Sequence, residues 1–176
     1  KQRLVSDTII SSFGKSDTFL LYGVTGSGKT EVYMDVIEKA INNGKSAIML
    51  VPEIGLTPQI VGKFISRFGN VISVLHSKLS DSERYDEYRK ITNGESKIVI
   101  GTRSAIFVPF NNIGVIIIDE EHTSSYKQDN NPRYSAINVA EWRSKYHNCP
   151  LVLGSATPSL ESFVKAGNHV YKLLSL

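Results

Sequence analysis

The chain has almost no cysteine: Cys149 is the only one among 176 residues. A single thiol cannot form an internal disulfide, so the fold does not rely on cross-links and suits a reducing compartment. The four histidines are scattered along the chain, which excludes the ligand spacing of a zinc site. Because Cys149 precedes Pro150 and an apolar run, we interpret it as a small structural residue.

The chain also lacks long apolar runs and a strong net charge. No run approaches the roughly 20 apolar residues of a membrane span, and the first residues contain no signal-peptide core. The net charge of +3 permits a nucleic-acid partner without arguing for one. With 41% hydrophobic and 21% charged residues, the composition is that of a soluble globular domain. We expect one cytoplasmic domain without membrane contact, and the missing initiator methionine indicates a fragment of a longer protein.

Apolar runs of strand length alternate with amphipathic segments along the whole chain. We predict strands at 18–22, 46–51, 71–75, 97–100, 115–119, 151–153 and 169–173, and helices at 3–13, 30–42, 57–68, 81–92, 135–147 and 160–165. Near-continuous apolar strands separated by helices indicate a mostly parallel sheet that is covered on both faces. The prediction is therefore a three-layer α/β domain, in which ligands bind at the carboxyl ends of the strands.

The most specific motif is a glycine-rich loop that follows the first predicted strand. Residues 23–30 have the form G-x-x-x-x-G-K-T, and a helical pattern begins directly after them. Backbone N–H groups of such a loop surround a phosphate, and the helix N-terminus adds positive potential. The predicted site for a nucleoside triphosphate consists of Gly23, Val24, Thr25, Gly26, Ser27, Gly28, Lys29 and Thr30. The alternative is a glycine-rich turn that merely joins a strand to a helix.

Two acids end a second apolar strand. Asp119 and Glu120 follow the run 115–118, and a glycine-loop nucleotide site needs an acid at such a strand end to hold Mg²⁺. We predict that Thr30 and Asp119 hold the metal, while Glu120 takes a proton from the attacking water. The alternative is a solvated acidic strand end. His122 follows, and it could form a hydrogen bond to the segment 154–158 after the next strand.

These motifs carry a resemblance to a known family. With the glycine loop, DEEH at 119–122 and GSAT at 154–157 resemble motifs of superfamily 2 helicases. Four further segments, VPEIGLTPQ at 51–59, LHS at 75–77, GTRSA at 101–105 and SSYKQ at 124–128, occur in the same order as in the primosomal protein N′ (PriA) family. The chain is thus similar to the replication-restart DNA helicases over nearly its full length.

The resemblance implies that residues 1–176 form the first RecA-like lobe of a two-lobed helicase core. The whole enzyme would couple ATP hydrolysis to 3′-to-5′ translocation on single-stranded DNA, remodel stalled or abandoned forks and promote primosome assembly. Its expected partners are forked DNA, primosome and replication proteins, and the remaining domains of its own chain. A zinc-binding cysteine cluster is expected in the full-length protein but outside this fragment, and the isolated lobe is expected to be nearly inactive.

The resemblance also assigns roles to single residues. Lys29, Asp119, Glu120 and His122 would be catalytic, with ATP and Mg²⁺ as cofactors. Ser155 and Thr157 would couple hydrolysis to movement together with His122. Gln2 stands where such enzymes often read the adenine.

A polar segment at 123–133 is too long for a simple connector. The family has an aromatic-rich loop at this place that senses single-stranded DNA. Here it would comprise Tyr126, Lys127, Gln128, Arg133 and Tyr134, and the chemistry agrees because aromatic rings stack on bases and cations follow the backbone. A disordered polar loop is the alternative. Residues 133–138 read RYSAIN where relatives usually have RYHARD, which departs from the family pattern.

Two further residues complete these expectations. Arg103 follows a predicted strand and would hold a DNA phosphate. Trp142 is expected in the core, because Val139, Trp142, Arg143 and Tyr146 recur at helical spacing.

Three rival functions remain on sequence grounds. A nucleotide or small-molecule kinase shares the glycine loop, but no acceptor pocket or basic lid is visible. A GTPase would need an Asn-Lys-x-Asp guanine reader, which does not occur. A DNA-binding module with dead chemistry is disfavoured by the intact Lys29, Asp119 and Glu120.

Overall fold

We describe the fold from a computed structural model, which covers residues 1–176. The strands are β1 (Thr18–Tyr22), β2 (Ser46–Leu50), β3 (Ile72–Leu75), β4 (Ile98–Gly101), β5 (Ile113–Ile118), β6 (Lys127–Gln128), β7 (Tyr134–Ser135), β8 (Leu151–Ser155) and β9 (Lys172–Ser175). The helices are α1 (Gln2–Ile10), α2 (Lys29–Asn42), α3 (Pro58–Phe68), α4 (Asp81–Thr92), α5 (Ala136–His147) and α6 (Leu160–Gly167). None of the helices combines the length and the hydropathy that crossing a bilayer requires.

Seven of the strands form one sheet in the order β3-β4-β2-β5-β8-β1-β9. Every neighbouring pair in this sheet is parallel, which confirms the predicted α/β class. β8 lies between β1 and β5, with Tyr22 opposite Ser155 and Ile118 opposite Leu153. The carboxyl ends of these three strands therefore meet at one edge, which brings the glycine loop, the acids and the segment 154–158 together.

Alternating side chains of each strand enter two separate cores. In β1, Leu20 belongs to a cluster of 20 buried residues that α4 and α5 help to form. Phe19 and Leu21 belong to a second cluster of 19 buried residues beneath α1, α2 and α3. This alternation follows from the two-residue period of a strand, and it explains why the strands have no polar face.

Side-chain caps fix where several helices begin. The Ser80 hydroxyl accepts a hydrogen bond from the Glu83 amide (3.2 Å), and the Glu83 carboxylate accepts one from the Ser80 amide (2.8 Å). This capping box starts α4 on the surface, three residues after the LHS segment at 75–77. At α3, the Thr57 hydroxyl accepts a hydrogen bond from the Ile60 amide (3.3 Å), with Pro58 in the first turn.

Two predicted ends differ from the structure by three residues, and the other ends differ by two residues or fewer. α1 ends at Ile10 instead of residue 13. The last strand begins at Lys172 instead of His169, because the turn after α6 continues through His169, whose φ is +60°. Hydropathy alone does not reveal such a turn, since Val170 and Tyr171 extend the apolar pattern backwards from the strand.

The long loop at 123–133 is more ordered than the polar sequence predicts. A short 3-10 turn, Ser124–Tyr126, opens it, and β6 then pairs antiparallel with β7. We refer to residues 123–135 as the hairpin loop.

The prediction that Trp142 lies in the core is wrong. Its side chain is 64% exposed and stacks on Tyr146 with ring centroids 5.3 Å apart. The buried face of α5 consists instead of Ala136, Ala140 and Ser144. Small residues at a spacing of four form this face, whereas the aromatic side chains of Trp142 and Tyr146 are exposed on another side of the helix.

Candidate nucleotide site and the loop beside it

The glycine loop connects β1 to α2 and has the backbone of a phosphate-binding turn. Gly26 and Gly28 have φ values of +82° and +95°, which side chains other than glycine rarely adopt. The Lys29 ammonium donates to the Gly23 carbonyl (2.5 Å) and lies 3.4 Å from the Val24 carbonyl, so it is folded into its own loop. A ligand that enters the loop would compete with these two carbonyls for the three donors of the ammonium group.

A buried hydroxyl in the same loop has no hydrogen-bond partner. The Ser27 Oγ is one of two buried side-chain polar atoms in the chain that lack one. An unsatisfied buried polar atom costs free energy unless a partner arrives. An orphaned hydroxyl, a cationic side chain and a helix N-terminus at one loop fit an anion such as a phosphate.

Gln2 lies directly beside this loop. Its amide nitrogen donates to the Ser27 carbonyl (3.1 Å), and a Cβ added to Gly28 would come within 1.7 Å of that nitrogen. Because that nitrogen is the end of a flexible, exposed side chain, the requirement for glycine at position 28 rests on its φ. The structure thus brings Gln2 to the loop, and its role in reading adenine stays a prediction.

Asp119 ends β5 in a largely buried position. The Tyr33 hydroxyl of α2 donates to the Asp119 Oδ1 (2.8 Å). Burial raises the pKa of Asp119, the hydrogen bond from Tyr33 opposes this rise, and the charge of Glu120 adds to it. Burial and the nearby Asp119 likewise raise the pKa of Tyr33 well above its usual value, so its hydroxyl stays a donor.

The residues at this edge fit a magnesium ion better than an all-protein metal cage. The chain has no group of three or more His, Cys, Asp or Glu side chains placed so that it could hold a metal ion. Mg²⁺ in nucleotide sites is held by one or two protein groups together with waters and phosphates. A cation would also stabilise the ionised form of the buried Asp119, which burial alone disfavours. Thr30 and Asp119 therefore remain the predicted metal-binding pair.

Glu120 has an unusual backbone conformation. Its φ of +50° lies in the left-handed region, which costs energy for a residue with a Cβ. Hydrogen bonds on both sides hold this turn: the Asp119 amide donates to the Leu50 carbonyl (2.9 Å), and the Glu121 amide donates to the Gly154 carbonyl (3.0 Å). The chain leaves the strand direction here, and the half-exposed Glu120 carboxylate lies 3.6 Å from the His122 Nδ1.

The predicted contact between His122 and the segment after β8 is present. The His122 Nδ1 and the Ser155 Oγ are 2.7 Å apart, and the Thr157 amide donates to the same Ser155 Oγ (2.9 Å). The Thr157 side chain is exposed. The hydroxyl of Ser155 therefore joins the acidic segment to the next turn, while the coupling role of these residues stays a prediction.

Sequence reasoning missed the packing between Tyr33 and Gly154. A Cβ added to Gly154 would lie 1.7 Å from the Tyr33 hydroxyl oxygen and 3.2 Å from the Asp119 Oδ1. Glycine at 154 is thus the residue that lets Tyr33 reach Asp119. The available signal was the position of Tyr33, which stands one helical turn after Lys29 on the same face of α2.

We expect Gly154→Ala to destabilise the chain by about 1–3 kcal/mol, the usual cost of overpacking a core. Tyr33→Phe in the same chain should recover part of this loss, because the hydroxyl is the atom that the new methyl group meets first. Urea unfolding of the two single variants, the double variant and the unchanged chain measures the coupling.

Gly62→Ala is the matched control for that experiment. Gly62 lies inside α3 with nothing within 4 Å of an added Cβ, so alanine there should leave stability equal or higher. A Gly154→Ala chain that is as stable as Gly62→Ala would contradict the proposed packing.

The hairpin loop corrects the prediction that Tyr126 stacks on DNA bases. Tyr126 is 1% exposed and belongs to the core cluster on the α5 face of the sheet. Its hydroxyl donates to the main-chain carbonyl of Asp119 (2.5 Å), and burial is the main reason that its pKa is raised. Its ring has no free face, and its contact is with the acidic segment instead. The polar neighbours of Tyr126 in the sequence led to the prediction of an exposed side chain, because they do not indicate that the segment packs on the core.

Arg103 is also placed differently from the prediction. Its guanidinium donates to the carbonyls of Ser125 (3.2 Å) and Lys127 (3.1 Å) and to the Gln128 side chain (3.2 Å). It lies over the ring of Tyr134, 5.8 Å from the centroid. These donors are directed into the hairpin loop instead of towards a phosphate, so the structure makes Arg103 a residue that orders the loop.

The remaining predicted DNA-binding residues differ in exposure. Lys127 and Arg133 are exposed, whereas Gln128 and Tyr134 are partly buried. The Gln128 amide donates to the Pro132 carbonyl (2.8 Å) and so closes the loop on itself. Two cations at the surface are therefore the part of the predicted set that is open to a partner.

The sequence pattern of the DEAD/DEAH box helicase family matches residues 2–165. The chain belongs to this family. It is 61% identical over 158 residues to the Replication restart protein PriA of Bacillus subtilis (strain 168), an alignment that covers 90% of the chain and 20% of that relative. For the Replication restart protein PriA of Synechocystis sp., the identity is 55% over 151 residues, which cover 85% of the chain and 18% of the relative. These similarities confirm the resemblance to replication-restart proteins, and the chain spans about a fifth of the length of these relatives.

Solved structures agree on the fold. RecG bound to a three-way DNA junction matches the chain with a TM-score of 0.67 and 24% identity, which covers 99% of the chain and 23% of RecG. At this identity the likeness shows the fold alone, that of a RecA-like helicase domain. It confirms the predicted architecture and leaves the roles of single residues as predictions.

Proposed function

We propose that residues 1–176 are the first RecA-like, ATP-binding lobe of a two-lobed DNA helicase that restarts replication. The similar PriA proteins are named replication restart proteins, and the proposal extends that activity to this chain. The structural support is one observation: the glycine loop, Asp119 and Ser155 lie at the adjacent carboxyl ends of β1, β5 and β8. A glycine turn that only joined two elements would not need the acids beside it.

In this proposal each side chain has a defined task. Lys29 leaves the Gly23 carbonyl to contact the phosphates of ATP, and the Ser27 hydroxyl gains the partner it lacks. Glu120 accepts the proton of the attacking water, which is the step that a positioned carboxylate accelerates. Mg²⁺, held by Thr30 and Asp119, neutralises charge on the phosphates when bound. Gln2 adds a contact beside the loop, where the base would lie.

The hairpin loop connects this site to DNA. Lys127 and Arg133 offer exposed cations to a phosphate backbone. Tyr126 links the same loop to the carbonyl of Asp119 through a hydrogen bond. A movement of the loop would therefore change the position of the residue that is proposed to hold the metal. We therefore assign DNA contact to the exposed cations and signal transfer to the buried Tyr126.

The finer parts of the proposal concern the longer protein. It would translocate 3′-to-5′ on single-stranded DNA in the cytoplasm, act on stalled or abandoned forks and promote primosome assembly. The second lobe and the zinc-binding region would lie in the remaining chain. Primosome and replication proteins would be its partners.

We expect Lys127→Ala combined with Arg133→Ala to weaken stimulation of the full-length ATPase by single-stranded DNA. Each lost phosphate contact lowers the slope of log affinity against log salt by about 0.7 on single strands, so the pair should lower it by about 1.4. The measurement is the DNA concentration for half-maximal ATP hydrolysis at several salt concentrations.

The matched control replaces two exposed lysines elsewhere, Lys15→Ala with Lys39→Ala, which removes the same charge away from the loop. An equal salt slope in both double variants would remove Lys127 and Arg133 from the DNA surface. An unchanged full-length protein that single-stranded DNA does not stimulate would contradict the proposed function itself.

A further inference from the structure

Glu121 is the one acid of the segment 119–121 that is fully buried, with 3% exposure. Its Oε1 accepts a hydrogen bond from the Ser159 amide (2.7 Å). Its Oε2 accepts hydrogen bonds from the hydroxyls of Ser159 (3.1 Å) and Ser162 (2.9 Å). No lysine or arginine forms an ion pair with it, so these donors at the start of α6 are what stabilise the buried charge.

Glu121 is attached to the last residues of β8 and to the first residue of the α6 cap. Its backbone amide donates to the Gly154 carbonyl (3.0 Å), and its carboxylate binds Ser159. Between these two attachments lies the Ser155 hydroxyl, 2.7 Å from the His122 Nδ1. The position of that hydroxyl relative to His122 therefore depends on how Glu121 holds the turn.

Helix capping alone does not account for a buried carboxylate at this place. The Ser159 hydroxyl already accepts a hydrogen bond from the Ser162 amide (3.2 Å) and caps α6. The Ser135 hydroxyl caps α5 in the same way, by accepting a hydrogen bond from the Asn138 amide, and no acidic side chain binds that cap. A buried charge is costly wherever its donors move away, so it responds strongly to a shift of α6 against the acidic segment.

We propose that Glu121 is a positioning residue that ties the acidic segment to α6 through the 154–159 turn. The inference rests on the proposed function and deepens it. Glu120 and His122 lie on either side of Glu121, so a fixed turn keeps the Ser155 contact in register with the groups that act on water. Without the carboxylate, DNA binding stimulates hydrolysis less, because the hairpin loop and the 154–159 turn are no longer held by the same residue.

The test compares Glu121→Gln with the unchanged full-length helicase. Glutamine keeps the shape and one acceptor oxygen, but its NH₂ group replaces the oxygen that accepts from the hydroxyls of Ser159 and Ser162, and the negative charge that strengthens these bonds is lost. We expect the kcat for ATP at saturating single-stranded DNA to fall about tenfold, which corresponds to one charge-assisted hydrogen bond. The KM for ATP should change less than about threefold, and the ratio of stimulated to basal hydrolysis should fall with kcat.

Ser80→Ala is the control, since it removes the cap of α4, which follows the edge strand β3 and is separated from β5 and β8 by β4 and β2. It should lower the unfolding midpoint and leave the stimulated-to-basal ratio unchanged. Ser162→Ala removes one of the hydroxyl donors to Glu121 and should lower the stimulated-to-basal ratio by a smaller factor. This variant tests the inference even if Glu121→Gln does not fold.

A Glu121→Gln or Ser162→Ala enzyme that loses stability as Ser80→Ala does, with an unchanged ratio, would overturn the inference. An unchanged enzyme without stimulation by DNA would instead contradict the proposed function. The two failures are therefore distinct.

Discussion

Replacing Glu120 by glutamine is expected to slow ATP turnover by the full-length helicase about 10²–10⁴-fold, the range for loss of a positioned general base. Its partly exposed carboxylate lies at the edge of the sheet from which the glycine loop begins. The left-handed backbone at Glu120 directs the side chain away from the strand. Nucleotide affinity should persist, because Lys29, Thr30 and Asp119 are unchanged. Turnover under saturating ATP and DNA, together with equilibrium binding of a fluorescent nucleotide, measures both quantities.

Glu95→Gln provides the same chemical change at an exposed position outside the site and should leave turnover equal to that of the unchanged enzyme. A Glu120→Gln enzyme with turnover within tenfold of the Glu95→Gln enzyme would mean that another group activates water. Loss of nucleotide binding in Glu120→Gln would show that this carboxylate supports the fold of the site.

The order of elements followed from sequence because the strands are buried on both faces. A run such as 113–118 is apolar at every position, so its identity does not depend on a face pattern. The predicted bounds failed where local conformation decides, as at His169. The predicted core face of α5 failed because small residues, Ala136 and Ala140, form it. Hydropathy alone reveals neither the turn at His169 nor the buried face of α5.

The site was predictable to the extent that its parts are contiguous in sequence. The glycine loop and the acids are short motifs at strand ends, and the topology brings strand ends together. Contacts over long separations were not predictable: Tyr33 with Asp119, Arg103 with Ser125, and Tyr126 with the Asp119 carbonyl all need the tertiary structure. These contacts changed two assignments, since Arg103 orders the hairpin loop and Tyr126 lies in the core.

The second large effect concerns the 176-residue chain by itself. We expect it to bind ATP weakly and to hydrolyse it about 10³–10⁵-fold more slowly than the DNA-stimulated full-length enzyme, the range for a missing arginine finger. The arginines that its fold partly buries are already bound. Arg67 pairs with the carboxylates of α2, Arg103 with the hairpin loop, and Arg143 with three main-chain carbonyls.

In the proposed two-lobed enzyme the arginine that contacts the phosphates comes from the second lobe, so the isolated chain would bind ATP but hydrolyse it slowly. Single-turnover hydrolysis by the isolated chain, with and without single-stranded DNA, measures the deficit against the full-length enzyme. The isolated chain carrying Glu120→Gln gives the background from contaminating ATPases. Rapid turnover that DNA stimulates in the isolated chain, and that Glu120→Gln removes, would show that one lobe contains a complete catalytic site and would refute the division of the ATP site between two lobes.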